Sequence, residues 1–233
     1  LKHYCITIIG NDVSQSGFEK CKLSSESVAN DFEIKQFQAM VPKFCRAYLK
    51  SEKIEWRYPW VEDGLRIDIA TGLELKPYPT RVREKRISCF VSHYRIWKEV
   101  VEDNEPALVL EHDAFFIRNL DYGYILDSKY DIIGINDPRG CTRKSKEFYD
   151  KVVSNVSAVQ PVPRIDSFNV PQGLAGNSAY IIKPSGAKQL IDAAKTHGAW
   201  PNDALMCYQL IQNLGVTNKF YTSVQGLPST TTG

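Results

Sequence analysis

The sequence predicts an α/β domain with a mostly parallel central sheet flanked by helices, and three observations carry that prediction. Short apolar runs alternate with segments of helical period along the 233 residues, the order that builds a parallel sheet. A run such as Ala107 to Leu110 is apolar throughout, as a strand covered on both faces must be. Polar residues (Asn11, Gln38, Glu111, Asp113 and Asn136) fall where the runs end, and ligands of open α/β sheets bind beyond the carboxyl ends of strands. A chain of this length fits one domain with room for a substantial core.

The elements follow in order. Tyr4 to Ile9 reads as the first strand, stopped by Gly10-Asn11-Asp12, with a helix from about Gly17 to Asn30 behind it. Ile34 to Ala39 is the second strand and Lys43 to Glu52 the second helix. From Ile54 to Thr80 the chain is rich in Trp, Tyr, Pro and Gly without a sustained period. This is a long irregular excursion, and Trp56, Tyr58 and Trp60 argue against disorder there. A helix beginning near Arg86 places Phe90, Tyr94, Trp97 and Val101 on one face and Ser88, Ser92, Arg95 and Glu99 on another. Asn104-Glu105-Pro106 breaks it before the strand from Ala107. Tyr130 to Ile135 is the next strand, Asn136 to Lys144 a turn-rich loop, and a second irregular region runs to Gly173. Ser178 to Ile182 is a strand, and Pro184 opens a helix that Gly198 ends. Asn202 is expected to cap a last helix carrying Ala204, Tyr208, Ile211 and Leu214 on one face, with Gly215 terminating it.

Bulk properties exclude several classes. The formal charge of +2, from 29 basic and 27 acidic residues, supplies no field that would recruit nucleic acid, so no specific nucleic-acid partner is expected. Two local basic clusters stand out, Arg81, Arg83, Lys85 and Arg86, then Arg139, Arg143, Lys144 and Lys146. Each is either a solvated stretch or a loop that closes over phosphates or an anionic acceptor. The six cysteines lack Cys-x-x-Cys spacing, which argues against zinc, and Cys5, Cys89 and Cys207 sit in apolar patterns as small core residues. No run approaches a membrane span and no signal-peptide pattern opens the chain, so the expected location is the cytoplasm.

The chemistry concentrates where the strand from Ala107 ends. Glu111 and Asp113 stand at i and i+2, so in extended chain both point one way and His112 the other. Two hard carboxylates there suit Mg²⁺ or Mn²⁺, and such a metal suits a diphosphate; the plainer alternative is a pair of acids bonding neighbouring backbone. His93 shares a helix face with Ile96, Trp97 and Val100, as a satisfied core histidine would. Asp203 complements a helix dipole if it does nothing else.

The stretch SCFVSHYRIWKEVV followed by ALVLEHDA resembles the signature of family 25 glycosyltransferases, the lipooligosaccharide- and collagen-galactosyltransferase group. Further matches lie in GNSAYIIKPSGAKQLIDAA (Gly176 to Ala194), in Pro201 to Asp203, and in the tail VQGLPSTTT. Three features depart from the family pattern: Arg86 and Ser88 replace a Glu and a Gly, His112 replaces the middle acid, and the first strand lacks the usual Asn-Leu-x-Arg. The resemblance implies a GT-A-type nucleotide-sugar fold over one domain, 1–233. Within it, 1–85 would form the donor-nucleotide part and 86–233 the metal, donor-sugar and acceptor part. It further implies Asp113 and Glu111 as metal ligands for Mn²⁺ or Mg²⁺, and Ser92 and His93 as donor contacts beside Ile9, Asn11, Gln38, Glu111, Gly176 and Asn177. Asp203 becomes a catalytic base, with a second contact to the metal as the rival role. Gly173, Gly176 and Asn177 form either a loop for close approach to the donor sugar or a plain turn.

The expected function is therefore a metal-dependent inverting transferase moving galactose or glucose from a UDP-sugar to an acceptor hydroxyl on a glycan or other hydroxylated molecule. The alternatives are a binding protein of the same fold without turnover, or a nucleotidyltransferase. The lack of a Gly-rich, Lys/Arg-ended phosphate loop after the first strand counts against the last.

Overall fold

The computed structural model describes residues 1–140, 144–228 and 230. Strand β1 (Lys2–Thr7) leads into helix α1 (Asp12–Ser27), then β2 (Lys35–Gln38) and α2 (Pro42–Ser51). The excursion that follows holds a two-stranded hairpin, β3 (Arg66–Ile67) with β4 (Glu74–Leu75), before the long helix α3 (Arg83–Asp103). Next come β5 (Ala107–Glu111), β6 (Ala114–Phe116), α4 (Gly123–Leu126), β7 (Ile132–Gly134), α5 (Ser145–Val153) and β8 (Val159–Pro161). The chain continues through β9 (Ala179–Ile182), α6 (Pro184–His197), α7 (Asn202–Leu205), β10 (Leu214–Thr217) and β11 (Thr222–Val224).

Seven strands form the central sheet in the order β2-β1-β5-β9-β7-β10-β8. Five of them, β2, β1, β5, β7 and β10, share one direction, while β9 and β8 run against it. Both faces of the sheet are covered. Tyr4, Ile6, Val109, Tyr180 and Ile182 join a core with α3 and α6, whereas Cys5, Leu108, Leu110, Ala179 and Ile181 join another with Phe18 of α1 and Ile125 of α4. That is why the inner strands β5, β7 and β9 read as apolar runs. Each side chain buried in full contributes about 1.5–3 kcal/mol of hydrophobic stabilisation.

Direction of travel places the site. β1, β2 and β5 all end at the same edge of the sheet, and reversed β9 begins there. The Glu111 amide accordingly donates to the Ser178 carbonyl at 2.8 Å. α3 starts at that edge and descends to the left-handed Asn104 just before β5, so its first turns overhang the strand ends. The excursion is ordered: Trp56 and Trp60 stack at 5.1 Å, Arg83 lies over Trp60, and buried Tyr58 donates its hydroxyl to the Lys76 carbonyl at 2.8 Å.

Several expectations are corrected. α1 begins at Asp12 rather than near Gly17, because the Asn11 side chain caps it by accepting from the Ser14 amide at 2.9 Å. The second irregular region contains α5, whose buried Phe148 and Val152 at i and i+4 are too few to show as a period, and the three-residue edge strand β8. The last expected helix stops after one turn, at Leu205. Gly173 bridges to Cys207 and the Tyr208 amide donates to the Gln172 carbonyl, which draws the chain away from helix. Gly215 does not end a helix but lies within β10, packed on the Tyr130 ring. Cys89 is a half-buried cavity residue and not a core one. Arg143 of the second basic cluster and residues 229 and 231–232 of the tail motif lie outside the described residues.

His3 in β1 stacks on Phe32 at 4.2 Å with its Nε2 buried and unpartnered, and burial lowers its pKa from 6.5 to about 4. The unfolded chain takes up that proton at a higher pH than the folded one, so stability must fall as pH drops from 6.5 toward 4. His3→Phe keeps the stack and removes the titration. Its unfolding temperature should decline less steeply over that window, and a slope equal to the parent's would clear His3 of the effect.

Candidate active site

A cavity of about 550 Å³ opens at the sheet edge just described. Its floor is Ile6 near the end of β1, Ile8 and Asn11 after it, and Ala39 and Met40 after β2. One wall comes from α3 and carries Lys85, Arg86, Ser88, Cys89, Ser92 and His93. The acids Glu111 and Asp113 face Asn177, Ser178, Asn202 and Asp203, and Leu227 and Pro228 of the tail close the rim.

The structure brings most of the sequence-predicted residues together. Glu111, Asp113, Asn177, Ser92, His93, Asn11 and Asp203 all line the cavity. Ile9, Gln38 and Gly176 do not. β1 ends at Thr7, and the turn that follows leaves Ile9 59% exposed, with Ile8 facing the cavity instead. Gln38 is exposed and its carbonyl accepts from the Arg95 guanidinium at 3.0 Å, so Ala39 and Met40 take its place. Gly176 serves the turn into β9 with a φ of 83°, which presents Asn177. Asn11 and Ser92 have structural duties as well. Asn11 caps α1, and the Ser92 hydroxyl donates to the Ser88 carbonyl at 2.6 Å while accepting from the Met40 amide at 2.9 Å.

The acids differ in state. Asp113 is pushed up from 3.8 to about 7 by burial and then by the Glu111 charge, and its Oδ1 is buried without a partner. Burial, the largest single influence on Glu111, also opposes its ionisation. The hydrogen bond from His93, whose Nε2 lies 3.1 Å from Glu111 Oε1, together with the neighbouring imidazoles and the Arg86 charge, outweighs it and holds Glu111 below the usual carboxylate range. Burial raises Asp203, with the Glu111 charge adding and the Arg86 charge opposing. The Tyr78 hydroxyl hydrogen-bonds Asp203, and the Arg86 guanidinium sits over the Tyr78 ring at 5.3 Å. His112 turns toward α1, where its ring lies against Gly17.

Two carboxylates sharing one cavity, one of them with an orphaned buried oxygen, fit a hard divalent cation. A softer set lies beside them: one ligand atom each from Cys89, His93 and Glu111, all within 4.8 Å of one another. Asn177 adds both an amide donor and an acceptor with no partner, at 9% exposure, a match for sugar hydroxyls.

Sequence reasoning treated Arg86 as part of a basic cluster and missed Tyr78 and Asn202. Arg86, Cys89 and His93 stand at i, i+3 and i+7 on α3, so projecting the His93 face backwards would have found the first. Tyr78 sits in the aperiodic excursion, where no spacing marks it.

The model of glycosyltransferase family 25 (LPS biosynthesis protein) matches residues 31–206, from before β2 to the end of α7. That match makes the protein a glycosyltransferase. The chain belongs to glycosyltransferase family 25, and its architecture is the α/β domain with a mostly parallel central sheet that the sequence predicts. No curated protein sequence matches the chain. Among solved structures, an active-site mutant of LgtC aligns with 93% of this chain and 72% of its own, at 13% identity and a TM-score of 0.42. The galactosyltransferase LgtC in complex with donor and acceptor sugar analogs covers the same shares at 11% identity and 0.43. The bifunctional glycosyltransferase WbbM, in apo form, gives 11% and 0.42 over 93% of this chain and 38% of its own. At these scores no residue role is carried over.

Gly173 was expected either in a donor-approach loop or in a plain turn. A Cβ on it would stand 1.9 Å from the Met206 carbonyl oxygen, so the glycine is a close-packing requirement holding the loop against the Asp203 turn. Gly173→Ala should destabilise the fold by about 1–3 kcal/mol in urea unfolding, the usual cost of overpacking. Parental stability would refute that account.

Proposed function

We propose that this glycosyltransferase is metal-dependent and inverting, moving galactose or glucose from a UDP-sugar to an acceptor hydroxyl on a glycan or similar molecule. The observation that carries the reading is the buried, unpartnered Asp113 Oδ1 beside Glu111, in a cavity that Arg86 and Asp203 also face. Asp113 and Glu111 would hold Mn²⁺ or Mg²⁺, which supplies Lewis-acid neutralisation of the departing diphosphate. Arg86 and Lys85 add fixed positive charge on the same wall. Residues of 1–85, with Ile6, Ile8, Ala39 and Met40, form the floor that suits the nucleotide, and Asn177 meets the donor sugar.

Asp203 is the base. As the acceptor oxygen bonds to the anomeric carbon and the bond from that carbon to the diphosphate breaks, the hydroxyl proton passes to the Asp203 carboxylate. Burial raises the affinity of Asp203 for that proton, and the Arg86 charge keeps the ionised form accessible beforehand. Tyr78 holds the carboxylate in place. Among the described residues no helix is long and apolar enough to cross a membrane.

The first test is a thermal-shift panel of UDP, GDP and CMP with their sugars, with and without Mn²⁺. UDP with metal at a hundredfold excess over its Kd should stabilise the parent by about 2.7 kcal/mol. Asp113→Asn should fold normally and lose the metal-dependent shift. Equal shifts in both proteins, or a response to GDP-sugars and none to UDP-sugars, would overturn the assignment.

Asp203→Asn separates the base from its rival roles. It should bind UDP with metal like the parent, melt within a few degrees of it, and transfer sugar at least ~10²-fold more slowly. A helix-dipole partner would cost only about 0.3–1 kcal/mol of stability and leave the rate near parental. Loss of metal-dependent UDP binding would instead make Asp203 a metal-site residue.

A further inference from the structure

Behind Glu111 lies a chain of hydrogen bonds whose direction follows from counting protons. The Trp97 indole nitrogen is a donor only, and it lies 3.0 Å from the Tyr180 hydroxyl oxygen. Tyr180 Oη is also 2.8 Å from His93 Nδ1, and His93 Nε2 is 3.1 Å from Glu111 Oε1. Trp97 and Tyr180 are fully buried and His93 is 1% exposed, so water does not repair a mismatch.

A phenol has one proton to give. With Trp97 donating to it, Tyr180 can place that proton only on His93 Nδ1. If Nδ1 carried a hydrogen, the Tyr180 proton would be stranded in the core at its full desolvation cost. In the neutral ring, moving the hydrogen to Nδ1 would also turn a bare Nε2 lone pair toward a carboxylate oxygen, acceptor against acceptor. A doubly protonated ring still strands the Tyr180 proton. One arrangement satisfies every group: Trp97 to Tyr180, Tyr180 to Nδ1, and Nε2–H to Glu111.

We propose that this relay locks His93 as the Nε2–H tautomer and makes it the positioning residue for Glu111, so that the metal site takes hard oxygen ligands and His93 is not among them. The Cys89, His93 and Glu111 trio is then a crowding of potential ligands and not a zinc-type centre, because its nitrogen faces Glu111 with a proton. Cys89 Sγ in turn lies 3.5 Å from Asn202 Oδ1, a thiol donating to an amide oxygen. Holding Oε1 turns the rest of the Glu111 carboxylate to the cavity it lines, as partners behind a metal ligand commonly do. The inference rests on the metal reading above but is tested apart from it.

The direct readout is long-range ¹⁵N–¹H NMR of the four histidines, with the His93 signals assigned by their loss in His93→Gln. The parent protein without metal should show His93 in the Nε2–H form, and an Nδ1–H ring or an averaged mixture would overturn the relay. The second readout is Mn²⁺ affinity with UDP, followed by electron paramagnetic resonance. His93→Leu should weaken it ~10–100-fold, the usual effect of losing a partner behind a ligand. His93→Gln should restore most of it, since its amide donates where Nε2–H did and its carbonyl accepts from Tyr180. Equal loss in both variants would make His93 a ligand and refute the proposal. If the parent itself binds no Mn²⁺ with UDP, the metal reading fails, and the NMR spectrum still decides the relay.

Discussion

The reversed strand β9 is the constraint on which this molecule depends. Because it runs against β5, its first residues lie beside the last residues of β5, with the Glu111 backbone amide donating to the Ser178 carbonyl. A parallel strand in that position would have carried Asn177 and Ser178 to the far edge of the sheet. The same pairing sets Tyr180 opposite Val109, on the face that α3 covers, where its hydroxyl meets both Trp97 and His93. The acids, the amide and the buried support for the acids thus all follow from one strand direction.

The middle of the sheet could be read from sequence because β5, β7 and β9 are buried on both faces and announce themselves as solid apolar runs, whereas edge strand β2 buries only Phe37. β1, β2, β5, β7 and β9 were found within a few residues of their observed ends, and so were α2, α3 and α6. What escaped notice was short or held by distant partners. α5 buries only Phe148 and Val152, and β8 exists because β10 offers it an edge. The overcalled helix after Asn202 shows the opposite error. Its apolar spacing is real, but long-range backbone bonds at Gln172 and Gly173 fix the chain there, and no local pattern reports them.

The candidate site was legible to the extent that it lies on regular structure. Strand alternation found Glu111 at the end of β5 and Asp113 beside it, although Asp113 sits in the turn between β5 and β6 and not in extended chain. Ser92 and His93 came from the family resemblance, their place on α3 alone suggesting a core histidine. Ile9, Gln38 and Gly176 missed the cavity by one residue each, because a strand end turns before periodicity can show it. Tyr78 had no signal at all: it reaches Asp203 from the excursion that carries no repeat. The family resemblance supplied roles for residues, while the structure supplied the neighbours that make those roles chemically reasonable.

The Gln225 amide nitrogen reaches three carbonyls at once, those of Gly17, His112 and Ala114. Its own backbone amide donates to the Asp113 carbonyl at 2.8 Å. One late side chain therefore fastens the first helix to the loop that bears the acids, and Leu227 then completes the rim. During synthesis the sheet can begin to assemble on the ribosome from its early strands. Closure of the cavity must wait until this glutamine has left the exit tunnel, so a chain truncated before it would be a scaffold with an unfinished pocket. Completion of the pocket is in this sense an event timed by translation, arriving only once Gln225 has been made and is free to fold back on Gly17 and the acid-bearing turn.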